Sequence, residues 1–214
     1  MSKRKYYLFD TSAAIHFYIP HPNPKVNAVL AYLLAQKASG HAFFYIPIFC
    51  IAEIFNTLAK HHFRTKEITK DVYDDAVSKV KDHIRNRQFF YPYSMDRYHN
   101  LNTDLIFPIE HQVDTEYSVT GLPPGTPIGN INLALAANDP HDHTGHYHLS
   151  TLDIAIIAMG IELRRVHDQN FAIISKDKRL INICDKIPQS PARPPKAFYL
   201  QKTSLKDITD FSQA

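Results

Sequence analysis

Tyr6–Ile15 reads YYLFDTSAAI: an aromatic and apolar run meets an acid, and the Asp/Thr/Ser cluster that follows supplies a cap for a helical stretch. This is the pattern of a buried strand handing over to a helix. Working outward, three more acids occupy comparable apolar settings: Glu53 in IPIFCIAEIF, Asp153 in STLDIAIIAM and Asp177 in FAIISKDKRL. Each falls at a strand-to-helix junction or in the opening turns of a helix. In an open parallel α/β sheet all such junctions lie along one edge, where ligands bind. Asp10, Glu53, Asp153 and Asp177 are therefore expected to meet in space. Such a cluster is tolerable when a cation sits in it, and oxygen donors favour Mg²⁺ or Mn²⁺.

Each acid by itself also fits a structural role. Asp10 and Asp177 read as N-caps and Asp153 as a first-turn acid favoured by the helix dipole, each contributing about 1 kcal/mol or less. Glu53 fits a cap less well. With 54, 55, 58 and 59 facing a core, positions 53, 56, 57 and 60 form a polar face on the same helix. The combination of four acids, rather than any one of them, points to chemistry.

Between these segments strand and helix signals alternate. VNAVLAYLLAQKASG (26–40) is an amphipathic helix stopped by Gly40, FFYIP (43–47) a second strand, and Pro47 suits the first turn of the helix through IFCIAEIFNTLAKHH (48–62). KEITKDVYDDAVSKVKDHIRN (66–86) is a helix with a solvated outer face. QFFYPY (88–93) is a short strand candidate and SMDRYHNLNTDLIF (94–107) a helix candidate. From about 107 to 149 turn signals take over, including GLPPGTPIGN, and this stretch reads as a loop-rich insertion. Order returns with the Asp153 helix, the strand FAIIS, the helix DKRLINICDKI and a final strand AFYLQ. The alternation implies crossover connections and a parallel sheet within a single domain spanning 1–214.

The composition is that of a globular protein, with 44% hydrophobic and 21% charged residues. Cys50 and Cys184 match no metal or redox spacing and read as two reduced, buried thiols in a cytoplasmic protein. No apolar run is long enough to span a membrane, and MSKRKYYLFD reads as a basic lead into a strand rather than a signal peptide. The formal net charge of +3 is mild and compatible with a local basic patch.

The YLFDTSAAI opening, the IAE of the second helix, the LDIAIIAMG helix start and the AIISKD strand end together resemble the four signature segments of PIN-domain nucleases. The resemblance implies a three-layer α/β/α domain with a central, mostly parallel sheet. It also implies dependence on Mg²⁺ or Mn²⁺ and hydrolysis of RNA phosphodiester bonds. Carried over by position, Asp10, Glu53, Asp153 and Asp177 match the family's metal-binding acids, and Thr11 and Ser175 match hydroxyls that hydrogen-bond within the site. RNA is the implied substrate, a protein inhibitor or antitoxin an admissible partner, and homo-oligomerisation is left open. The 107–149 segment and the length set the chain apart from toxin-type members.

Other features rank lower. DPHDHTGHYH places His141, His143, His146 and His148 together without zinc-site spacing, and reads first as a polar loop, with a metal or pH-sensitive role over the cleft as the lesser alternative. Lys176, Lys178 and Arg179 flank Asp177 and are expected at the acid edge, where they could meet phosphates or simply face solvent. Lys3, Arg4 and Lys5 should lie at the opposite edge. Phe43, Phe44, Phe89, Phe90 and Tyr91 fall in expected strands and read as core, while His16 and Tyr18 are weak candidates for the cleft wall. Two rival readings remain: a catalytically silent PIN-like module that binds RNA or protein, and a phosphatase-like hydrolase using Asp10 as nucleophile. The second lacks the acid such enzymes carry two residues later, where this chain has Ser12.

Overall fold

The computed structural model describes residues 4–86, 89–99, 102–103, 105–106, 109, 151–188 and 194–211. The expected insertion at 107–149, with His141, His143, His146 and His148, lies outside the described residues except for Ile109. The strands are β1 (Lys5–Phe9), β2 (Ala42–Pro47), β3 (Tyr91–Tyr93), β4 (Phe171–Ser175) and β5 (Lys196–Tyr199). They form one all-parallel sheet in the order β3-β2-β1-β4-β5. The helices are α1 (Thr11–Ala14), α2 (Pro24–Ala38), α3 (Ile48–Ala59), α4 (Lys70–Asn86), α5 (Thr151–His167), α6 (Lys178–Lys186) and α7 (Leu205–Asp210). The expected α/β class with a parallel sheet is what the chain adopts.

β1 is central because both of its faces are apolar: Tyr7, Leu8 and Phe9 are all buried. Phe9 packs edge-on against Phe44 of β2 and Phe17, with ring centroids 4.9 and 5.3 Å away. α5 buries Ile157, Ala158 and Met159. Its Gly160 allows close approach to β4, since a Cβ there would stand 2.6 Å from Ile173 Cδ1.

Several boundaries differ from expectation. Pro47 closes β2 and occupies the N-cap of α3, one step before the first turn. α3 runs on into a π turn, Lys60–Arg64. β3 keeps only three of the six residues in QFFYPY; Pro92 removes a ladder donor, which an edge strand tolerates. Phe89 and Phe90 therefore precede the strand. Phe44 and Phe90 are buried as expected, whereas Tyr91 is exposed. In the expected 94–107 helix, residues 97–99, 102–103 and 105–106 are helical.

At the amino edge, Lys5 donates to the carbonyls of Ile208 and Thr209, closing the C-terminus of α7. Cys50 and Cys184 are free and buried. Among the described residues no helix is long and apolar enough to cross a membrane.

Candidate functional site at the carboxyl edge of the sheet

From β1 the chain winds outward through β2 to β3, then returns to place β4 on the other flank of β1. The order reverses between β1 and β4, and in open parallel sheets the crevice beyond such a reversal is the ligand site. Asp10 follows β1, Ser175 ends β4 and Asp177 follows it as the N-cap of α6, so the switch point is lined from both sides.

Asp10 is 4% exposed and caps α1 by accepting from the Ala13 N–H at 2.8 Å. Its carboxylate also accepts from Ser12 Oγ, at 2.8 and 2.9 Å to the two oxygens, and from fully buried Ser175 Oγ at 2.5 Å. Ser12 Oγ in turn accepts from the Lys176 N–H, and Ser175 Oγ from the Asp177 N–H, both at 2.8 Å. Two hydroxyls thus tie the ends of β1 and β4 together through one carboxylate. Burial pushes Asp10 up to about 7; the Ser175, Ala13 and Ser12 bonds act against that, and the Asp153 charge adds to it.

Asp177 is the N-cap of α6, its Oδ1 accepting from the Arg179 and Leu180 N–H groups. Burial and then the Asp153 charge raise its carboxyl above the ordinary range, opposed by those N–H bonds and by Arg179. Asp153 lies in the first turn of α5. The Asp153 charge acts on both Asp10 and Asp177.

Glu53 is placed differently. It lies on the exposed face of α3, where Thr11 Oγ1 donates to its Oε2 at 2.5 Å. Thr11 links it to the start of α1 beside Asp10. Among the described residues no group of three or more His, Cys, Asp or Glu side chains is arranged to hold a metal ion. The donor chemistry nevertheless suits a hard divalent cation. Mg²⁺ keeps several of its waters and needs only one or two direct carboxylates. A cation would also offset the Asp153 charge, which adds to the effect of burial on Asp10 and Asp177.

Thr11 and Ser175, the expected site hydroxyls, both hydrogen-bond to acids of the quartet. Ser12 was read in the sequence only as part of the Asp/Thr/Ser cap, and its bond to the Asp10 carboxylate was not expected. Of the flanking cations, Lys176 and Arg179 are half-buried and Lys178 is exposed. His16 does line this edge, with Nε2 3.1 Å from Lys176 Nζ. Tyr18 does not: it is buried, and its hydroxyl meets His83 Nδ1 at 3.1 Å. A 520 Å³ hollow bordered by Arg4, Lys37 and Phe43 lies at the opposite, amino edge.

No protein-family profile matches the chain, and no curated protein matches it in sequence.

Proposed function

We propose that this chain is a metal-dependent endoribonuclease of PIN type, with Asp10, Glu53, Asp153 and Asp177 supplying carboxylates for Mg²⁺ or Mn²⁺. The observation that carries the reading is the buried Asp10 carboxylate, fixed by Ser12 and Ser175 at the switch point beside Asp153 and Asp177. An acid pushed up by burial and by a neighbouring carboxylate is costly to keep, and perturbed groups of this kind cluster at functional sites. The four-segment resemblance to PIN-domain nucleases supports the same assignment.

When bound, the cation would activate water and offset charge developing on a phosphodiester. The residues of the chain prepare for that role. Ser12 and Ser175 hold the Asp10 carboxylate in one orientation and favour its ionised form. Thr11 anchors Glu53 midway along α3, and the N–H groups opening α6 hold Asp177. No separate general base is assigned.

The test is cleavage of a mixed RNA pool with Mg²⁺ or Mn²⁺, with EDTA, and by the double variant Asp10→Asn/Asp153→Asn. Cleavage that survives EDTA or the double substitution rules the assignment out. The exposure of Glu53 and the lack of a three-donor group among the described residues favour one rival, a catalytically silent PIN-like binding module. Retention of RNA or a protein without metal-dependent cleavage would select it.

A further inference from the structure

Beside the acids lies a compact basic cluster in which neutral rings, rather than carboxylates, hold the cation. His16 Nδ1 is 3.2 Å from the Ile19 carbonyl, which can only accept, so Nδ1 carries the ring proton and Nε2 the lone pair. That lone pair accepts from Lys176 Nζ at 3.1 Å. His21 Nδ1 accepts the Asn23 N–H at 2.9 Å, which leaves the ring proton on Nε2. The His16 and His21 rings meet edge to face, with centroids 4.6 Å apart. An imidazole acceptor orients an ammonium without neutralising it, and Nζ retains two further N–H donors for an anion.

The cluster is joined to the acid site through the backbone. The Lys176 N–H donates to Ser12 Oγ, which donates to Asp10, so only two hydrogen bonds separate this residue from the central carboxylate. A free anion would be repelled by three nearby acids. A phosphate covalently part of a strand, whose neighbour sits at the acids with a cation, is delivered there by the chain itself.

We propose that Lys176, oriented by His16 and flanked by His21, is a substrate-positioning residue whose ammonium binds the RNA backbone phosphate adjoining the one at the acids. The proposal rests on the ribonuclease reading above. A purely structural role would be to pin the β4–α6 turn against the residues after α1, and the test separates the two.

Binding of a fluorescein-labelled single-stranded RNA oligonucleotide to the whole chain is followed by anisotropy over a salt series, with Ca²⁺ in place of Mg²⁺ so that a cation remains available to the acids. One lost phosphate contact lowers the slope of log K against log salt by about 0.7 on single strands, so Lys176→Met should show that decrement and bind about tenfold more weakly. Lys176→Arg, which restores the charge, should recover the slope. His16→Ala should weaken binding while leaving the slope intact, and it stands in if Lys176→Met fails to fold. A folded Lys176→Met with wild-type affinity and slope, or a His16→Ala variant with wild-type affinity, overturns the proposal; metal-dependent cleavage by the wild type would then leave the nuclease reading standing. A wild-type chain that neither binds nor cleaves RNA overturns both.

Discussion

Ser175 Oγ donates to Asp10 Oδ2 at 2.5 Å, a bond between residues 165 positions apart that closes the boundary between β1 and β4. Both partners are buried, and the same hydroxyl accepts the Asp177 N–H. One side chain therefore joins the Asp10 carboxylate to the Asp177 backbone. Ser175→Ala should cost about 2 kcal/mol of stability in urea, the range for a buried bond to a charged group. It should also push Asp10 further up and move the acid limb of metal-dependent activity to higher pH. An unchanged limb in a destabilised variant would mean that the bond is structural only.

The raised Asp10 has a thermodynamic signature. Its carboxyl sits near 7 in the folded chain against about 3.9 unfolded, so the metal-free fold binds the extra proton between those values. Its contribution to stability is fully present below about 4 and is lost as pH rises through about 7. His16 acts oppositely: burial and Lys176 lower it to about 4, which makes stability rise with pH over the range up to its ordinary value. Comparing wild type with Asp10→Asn in EDTA isolates the first effect. The melting advantage of Asp10→Asn should be small at pH 5 and grow toward pH 8. An advantage that stays constant with pH would show that Asp10 is not the group responsible.

Metal should reverse that ordering. If the cation binds only the folded state, Mn²⁺ at a hundred times its dissociation constant stabilises by about 2.7 kcal/mol. Thermal melting of the wild type should rise with Mn²⁺, more at pH 8 than at pH 5, because protons compete for Asp10. Asp10→Asn/Asp153→Asn should show little response. An equal response in the double variant would place the metal elsewhere on the protein.

Gly160 supplies a test of the close approach between α5 and β4. A Cβ at Gly160 would meet Ile173 Cδ1 at 2.6 Å and Pro195 Cγ at 3.3 Å. Gly160→Val should destabilise by about 2 kcal/mol through overpacking, despite leaving behind glycine's poor helix propensity. Ile173→Val removes the Cδ1 methyl and costs about 1 kcal/mol alone. Combined with Gly160→Ala it should cost less than the two changes summed, and strict additivity in urea denaturation would show that the contact carries no strain.

Local signals in the chain were enough to locate the site's elements. The apolar run before Asp10, the caps at Asp10 and Asp177 and the glycine stop at Gly40 act over a few residues, and the folded chain uses each of them. β3 was less legible, because its length depends on pairing with Tyr45, Ile46 and Pro47 of β2. The 88–93 sequence does not contain that information.

The sequence by itself determined that apolar strands alternate with helices and that acids stand where the two meet, because periodicity and capping are short-range. Only the tertiary structure decided that β4 lies against β1, and hence that Asp10 shares its carboxylate with Ser12 and Ser175 while Glu53 turns to Thr11. It also decided that Lys176 meets His16 rather than standing free in solvent. Strand order is set by pairing and packing across the whole sheet. Which hydroxyl or ring reaches which charge follows from that order, over separations that local pattern does not encode.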